Sequence, residues 1–332
     1  MPITGRVPLK KWQAAIEAPT GTIKAATRVQ PLLSGDLVQH MEREYPQEQR
    51  GSLIKNYGND YQFKHFVELQ GLTAVPTYED LPWFLQGFAR GSVAGSPTAV
   101  TAYSYVFGPT GVAASSNTLQ SVTWEVAGDT QTYAVPYAIG TRFRIEGGVG
   151  KPASMTVDYL GQRAVAQALT SNLSLRTVEV INTATAVAYI DSTTIGTTQV
   201  YNVLDFSFEL PTGQKQFWAL DGNKYPRDAY RGETVAASFE ATLAFTDTTE
   251  YVAFTGDTDR KIRLVVNGSS IAGSSPATTK SLTIDWYGPW SEAPFGEQDG
   301  LVVIKVKGES VYDTTLGGDW RVAVVNDLST LP

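Results

Sequence analysis

Residues 263–286, RLVVNGSSIAGSSPATTKSLTIDW, set two runs of alternating apolar and polar residues around a Gly/Ser tract and close on Trp286. Alternation at period two puts successive side chains on opposite faces of a strand, so this stretch reads as a half-buried hairpin and not as a helix. Residues 103–126, YSYVFGPTGVAASSNTLQSVTWEV, follow the same plan, with Trp124 near the close. Two hairpins of one design predict a β protein that uses one unit twice.

Val, Thr, Tyr, Phe and Trp recur throughout and long runs of Leu, Glu and Lys are missing, a composition suited to pleated surfaces. A length of 332 residues suggests two domains, each with an ordinary core. The chain has no Cys, which excludes disulfide scaffolds, thiolate metal sites and Cys nucleophiles and suits folding in the cytosol. Its net charge is −7 and its Lys and Arg are scattered, so it lacks the basic stripe that grips phosphates. No apolar run approaches the roughly 20 residues of a bilayer span, and the first residues carry no apolar export core. The expectation is a soluble chain that is not exported.

Along the first half, GTIKAATRVQ (21–30) reads as a strand and residues 31–60 as a long polar loop. YQFKHFVELQG (61–71) returns as a strand with Phe63, His65, Val67 and Leu69 on one face. A short helix is expected at about residues 78–89, with Thr77 as cap and Pro82 in its first turn. The Trp124 hairpin follows, and then residues 141–148 pair with 153–161. The second half repeats the order: a strand at 203–210, a long polar loop at 211–234, a strand at 235–245, a helix slot at 247–254, the Trp286 hairpin, and a final pair of GLVVIKVKG with DWRVAVVN. This predicts a mainly β chain of two tandem β-sandwich or half-barrel domains, 1–172 and 201–332, each with a short flanking α-helix. Residues 173–200 are a linker or strands added to either sheet. A single sandwich with evenly spaced hairpins is the alternative.

No chemistry of catalysis or of cofactor or metal binding emerges. His40 and His65 are the only histidines, in neither an HExxH nor an HxH pattern, and His65 falls on the apolar face of its strand. GGVGK (147–151) lacks the first Gly of a phosphate loop and has Pro152 where Ser or Thr would meet magnesium, so it reads as a hairpin turn. Asp257 and Asp259 fill only the first two positions of a calcium loop.

GTIKAATRVQPLL, HFVELQGLTAVPTYEDLPWFLQG, YSYVFGPT with LQSVTWEV, and KVKGESVYDTTLGGDWRVAVVND together resemble, in their order, the tail tube proteins of long-tailed, non-contractile bacteriophages. The resemblance covers most of the chain by pattern rather than by one signature. It implies a β-sandwich or half-barrel flanked by a short helix, with six such domains closing a ring and rings stacking into a tube that conducts DNA from capsid to host. For a two-domain chain it implies a trimer of pseudo-sixfold symmetry in the virion, assembled in the host cytoplasm. The implied partners are further copies of the chain, a tape measure protein in the lumen, tail-tip and terminator proteins, and double-stranded DNA that passes without tight binding. No membrane is among them.

Within that reading the two long loops bridge neighbouring rings through residue types that anchor interfaces. These are Arg43, Tyr45, Arg50 and Tyr57 in the first, and Phe217, Trp218, Tyr225, Arg227, Tyr230 and Arg231 in the second. Asp158, Asp205, Glu209 and Glu240 face away from the apolar side of their strands and are the candidates to line a negatively charged lumen. Packing of the loop aromatics onto their own domain is the competing expectation. Two other functions stay open: a tail-end or capsid-surface β protein that does not polymerise, and a carbohydrate-binding sandwich using Trp218, Tyr225, Trp290 and Tyr312.

Overall fold

The computed structural model describes residues 10–18, 20–45, 54, 60–89, 95–109, 119–128 and 131–331. In chain order the first elements are β1 (Lys11–Ile16), β2 (Arg28–Gln30), β3 (Leu32–Glu44), β4 (Tyr61–Ala74), α1 (Leu81–Leu85), β5 (Ser96–Ala99), β6 (Ala102–Phe107), β7 (Val122–Ala127), β8 (Thr132–Gly148), β9 (Lys151–Gly161) and β10 (Val165–Ala166). There follow β11 (Ala186–Asp191), β12 (Gln199–Val200), β13 (Val203–Pro211), β14 (Gln214–Phe217), β15 (Asp228–Arg231), β16 (Ser238–Ala244) and α2 (Thr249–Thr255). The last are β17 (Arg260–Ser270), β18 (Thr279–Gly288), β19 (Trp290–Glu292), β20 (Phe295–Gln298), β21 (Leu301–Glu309) and β22 (Trp320–Asn326). The chain is mainly β, as its alternation predicts.

The main sheet runs β3-β4-β9-β8-β13-β16-β21, with β19 and β20 both on the far side of β21. Strand β8 serves two sets of partners. Its second part pairs with β9 and β13, while its first part pairs with β7 and β10, and β7 leads on to β1 and β2. The change of partner falls near Tyr137, whose φ of 52° departs from extended geometry. A second sheet, β12-β11-β17-β18-β22-β6-β5, packs over the apolar face of the first. Phe239 lies 5.9 Å from Trp286 and Phe208 lies 6.2 Å from Trp320 across that contact.

One continuous core joins everything. Trp124 is fully buried among Trp12, Trp83, Phe84 and Tyr159, with ring centroids 5.4–6.5 Å apart. Trp286 stacks on Trp290 at 5.6 Å and donates its Nε1–H to the Ala237 carbonyl at 3.0 Å. The segment carrying α1 lies directly on β8, because a Cβ at Gly140 would sit 2.5 Å from the Gly87 carbonyl oxygen. Only a glycine permits that approach.

The main sheet uses one strand order twice, in a register different from the expected one. In the first half β3, β4, β8 and β9 lie side by side in the order first, second, fourth, third. In the second half β13, β16, the interrupted strand β19/β20, and β21 lie in that same order. Helix α1 follows β4 as α2 follows β16. Because every neighbour is antiparallel, β3 and β13 run one way and β8 and β20 the other. The halves are joined edge to edge, β8 against β13, from Gly148 opposite Asp205 to Arg142 opposite Pro211.

Several expectations are corrected. Residues 31–60 are not one loop, since 32–44 form β3 along β4. Their polarity misled because both faces of the outer part of β3 meet solvent, which erases the alternation. The true counterpart of residues 203–210 is therefore β3; of 21–30 only 28–30 form a strand. The connection at 211–234 contains the two-stranded ribbon β14-β15. Strands β6 and β7 make no hairpin: β6 joins β22 in one sheet and β7 joins β1 and β8 in the other. All six residues of β7 are buried, so its partners could not be inferred from one exposed face. The hairpin around Trp286 does form as β17-β18, as do the pairs β8-β9 and β13-β16. Strands β21 and β22 lie in different sheets. Residues 173–200 add β11 and β12 to the second sheet beside β17. The first helix spans only 81–85, with Asp80 as its cap residue, and the Thr77 hydroxyl accepts the Asp80 N–H at 3.0 Å.

Buried charges pin the N-terminal strands. Arg28 pairs with Asp80 and lies over the Trp83 ring at 4.8 Å; burial pushes its pKa down to about 10 against the pull of Asp80. The buried carboxylate of Glu17 accepts from the Gly21 and Tyr137 N–H groups and the Ser121 and Thr123 hydroxyls at 2.6–2.7 Å. Replacing Glu17 with Gln turns one acceptor atom into a donor facing donors. Glu17→Gln should cost on the order of 3 kcal/mol, measured by urea denaturation.

Candidate functional site

The main sheet has one apolar and one polar face. Phe143, Ile145, Met155, Val157, Phe206, Phe208, Leu210 and Phe239 point into the core. The alternate residues Asp158, Asp205, Glu209 and Glu240 share the opposite face, as the sequence predicts. Cross-strand register explains their surroundings, since residues opposite each other lie on the same side of the sheet. Asp158 faces Arg142, with Nε to Oδ2 at 2.8 Å, and also accepts the Gly71 N–H at 2.7 Å. Glu240 faces Lys307 at 2.9 Å, a hydrogen bond that raises the Lys307 pKa. Arg144 stands opposite Glu209, bonds the Ser207 hydroxyl at 2.9 Å and pairs with Glu146 at 3.0 Å. Asp205 lines an open concavity of about 470 Å³ over the centre of this face, with Glu240, Lys305 and Lys307. The face is a mosaic in which cations stand beside carboxylates. The cations were missed because pairing across strands is invisible until register is known.

Among the described residues the outermost strands of the main sheet have partners on one side only: β3 on β4, and β19 and β20 on β21. Each leaves a row of backbone N–H and C=O groups for another chain. The β3-β4 hairpin extends as an arm beyond the end of the sheet, because β9 accompanies β4 only as far as Val67 opposite Gly161. The ribbon β14-β15 leaves the second half at this same end.

The ribbon lies against the arm. Trp218 packs edge-on to Phe66 at 6.1 Å under the Lys64 ammonium at 4.8 Å. Tyr225 meets His65 at 5.3 Å and the Arg163 guanidinium at 5.3 Å, and the His65 N–H donates to the Lys224 carbonyl at 2.9 Å. His65 is thus half-buried under the ribbon, not in the core, and Phe63 on the same strand is exposed. These contacts join residues of the two halves. Phe217 and Tyr230 remain exposed on the ribbon. The Arg227 N–H closes it on the Phe217 carbonyl, and Arg231 Nε donates to the Thr212 carbonyl at 3.0 Å, with burial lowering its pKa. In the arm Arg43 pairs with Asp60 at 3.3 Å and Tyr45 follows β3 directly. Arg50 and Tyr57 lie outside the described residues. The four aromatics proposed for sugar binding form no exposed strip: Trp290 is buried on Trp286 and Trp218 and Tyr225 are engaged, leaving Tyr312 exposed.

The frame of this chain is an antiparallel sheet whose outermost described strands are paired on one side, with an arm at one end and one four-strand order used twice. A family model described as phage tail tube protein matches residues 10–310. The chain belongs to the phage tail tube proteins. No curated protein matches it. Tail tube proteins are structural proteins of the virion that assemble with themselves into a tube.

One further contact fixes the ribbon of this tail tube protein. The Tyr137 hydroxyl donates to Asp228 at 2.5 Å, which lowers the carboxyl pKa with help from the Ala229 N–H. A depressed carboxyl pKa stabilises above the ordinary Asp value of about 3.9 and loses that stabilisation as pH falls through the folded value. Asp228→Asn should therefore speed amide exchange across residues 214–231 at neutral pH, with the core strands unchanged. In the parent chain the same loosening should appear on acidification below about pH 4.

Proposed function

We propose that three copies of the chain close a ring in which β20 of each copy pairs with β3 of the next. The observation that carries this is the joint inside the chain. There β8, the third strand of the first unit in chain order, pairs antiparallel with β13, the first strand of the second. Strand β20 holds the place of β8, and β3 that of β13, with the same directions. One rotation that relates the first unit to the second therefore also relates the second unit to the first unit of a neighbour. Repeated use of a heterologous contact closes a ring, while the unlike ring faces permit open-ended stacking. Main-chain pairing between copies is β-augmentation.

In this ring the polar face lines the lumen and the helices and second sheet lie outside. Barrels of roughly 16–18 strands already hold an aqueous channel, and three of these sheets exceed that number. Asp158, Asp205, Glu209 and Glu240 then meet passing DNA. Cations of the same face stand beside carboxylates, as Arg142 does with Asp158 and Lys307 with Glu240, so phosphates find no continuous basic track. Double-stranded DNA slides through this lumen from capsid to host, and a tape measure protein occupies it beforehand. Tail-tip and terminator proteins end the tube. The arm and the ribbon bridge to the adjacent ring of a long, non-contractile tail assembled in the host cytoplasm.

The absence of Cys makes the joint testable. Ser34 on β3 and Gln298 on β20 hold the places of Asp205 and Gly148, which are opposite each other in the internal joint. Oxidation of assembled Ser34→Cys/Gln298→Cys protein should yield covalent species that stop at the trimer on denaturing gels. A ladder running past three, or monomer alone from tubes seen by electron microscopy, overturns the trimeric ring.

A further inference from the structure

The two helices occupy matching places in the repeat and differ in their cover. All five residues of α1 are buried, beneath Trp124 and beside the Arg28 pair. In α2 only Ala253 is buried, while Tyr251 is partly exposed and Val252 is 58% exposed. Tyr251 continues an apolar surface onto the adjacent hairpin: its ring lies 5.2 Å from Phe295, which lies 5.0 Å from Phe245. Leu301 and Val302 extend this surface and are more than half exposed. Among the described residues no strands of the second half correspond to β1, β2 and β7, which cover α1.

This rim is acidic as well as apolar. Glu250 is neutralised by Arg260 at 3.0 Å, which leaves Asp247, Asp257 and Asp259 in residues 245–259, and residues 295–302 add Glu297 and Asp299 with no cation between them. It lies at the end of the main sheet where the β20-β21 turn sits. The ribbon β14-β15 leaves the opposite end, beyond Pro211. When rings of one polarity stack, the ribbon end of one ring meets the turn end of the next.

The ribbon has the complementary surface. One side is held on the arm by Trp218 and Tyr225, and the other leaves Phe217, Tyr230 and the fully exposed Leu220 to solvent. Residues 214–231 carry four cations against two carboxylates, Asp221 and Asp228; Lys215 pairs with Glu233 at 3.7 Å and Arg231 donates to the Thr212 carbonyl, so Lys224 and Arg227 supply the outward charge. The arm fits the rim less well, because Glu42 and Glu44 offset its cations and Lys64 is engaged with Glu42 and Trp218.

We propose that the rim formed by Tyr251, Val252, Phe295, Leu301 and Val302, with its carboxylates, receives the β14-β15 ribbon of a second copy in the adjacent ring. The inference rests on the tube reading above and adds the site at which one ring holds the next. Apolar anchors supply the burial, and opposite charges select the ribbon end over a second turn end, where like charges repel.

The test is a charge exchange on exposed side chains, with folding checked by circular dichroism. Lys224→Glu/Arg227→Glu on the ribbon and Glu297→Lys on the rim, made separately, should each shorten tubes about tenfold while leaving single rings intact. Combining them in one chain should restore length, read by negative-stain microscopy and sedimentation. Unchanged tube length in both variants, or no recovery in the combination, overturns the proposal. Loss of rings together with tubes in folded variants also overturns it, by moving these surfaces to the joint within a ring. If the parent chain forms neither rings nor tubes, the ring reading fails first and this inference with it.

Discussion

The ladder between β8 and β13 is the contact on which the rest of this architecture depends. It is an ordinary antiparallel pairing, yet it joins two units that could each have ended in an open edge. By satisfying one of those edges within the chain, it fixes the rotation between units and leaves the outer edges, β3 and β20, related in the same way. A backbone ladder is indifferent to side chains, so little residue identity need persist between the halves for the geometry to hold. That accounts for two units with the same strand order and almost no shared sequence.

Around that ladder the two faces of the sheet do different work. The inner face makes one core with the second sheet, reinforced by Trp124 in one half and Trp286 in the other. Two carboxylates that enter the interior are saturated with partners. Glu17 gathers two backbone and two hydroxyl donors, and Glu125 takes the Thr170 N–H and hydroxyl at 2.7 Å and the Ala26 N–H at 3.1 Å. Such carboxylates fix the course of β1 and its neighbours more tightly than apolar packing alone, because each donor left without a partner would carry a desolvation cost. The polar face has no such networks. Its ion pairs are partly exposed and contribute little to stability.

Much of this was legible in the chain. Strands with one wet face and one dry face announced themselves by alternation, as in 203–210 and 153–161, and the same rule put Asp158, Asp205, Glu209 and Glu240 opposite the apolar face. Prediction failed where both faces share one environment. The segment LLSGDLVQHMERE is solvated on both sides of its outer part and read as a loop, and VTWEVA is buried on both sides and gave no sign of which neighbour it would choose. Partners across sheets were likewise unreadable. Nothing local in YSYVF points to β22, and nothing in the ribbon shows that Trp218 and Tyr225 turn toward Phe66 and His65. The arm and ribbon were recognised by the length of chain devoted to them, while their shape came from register.

The pairing of β6 with β22 has a consequence for how the molecule comes into being. Phe107 finds its neighbour in Val322, so the second sheet closes only after the chain through β22 has been made. Contacts between segments so far apart form slowly, because a long loop must close before they are rewarded.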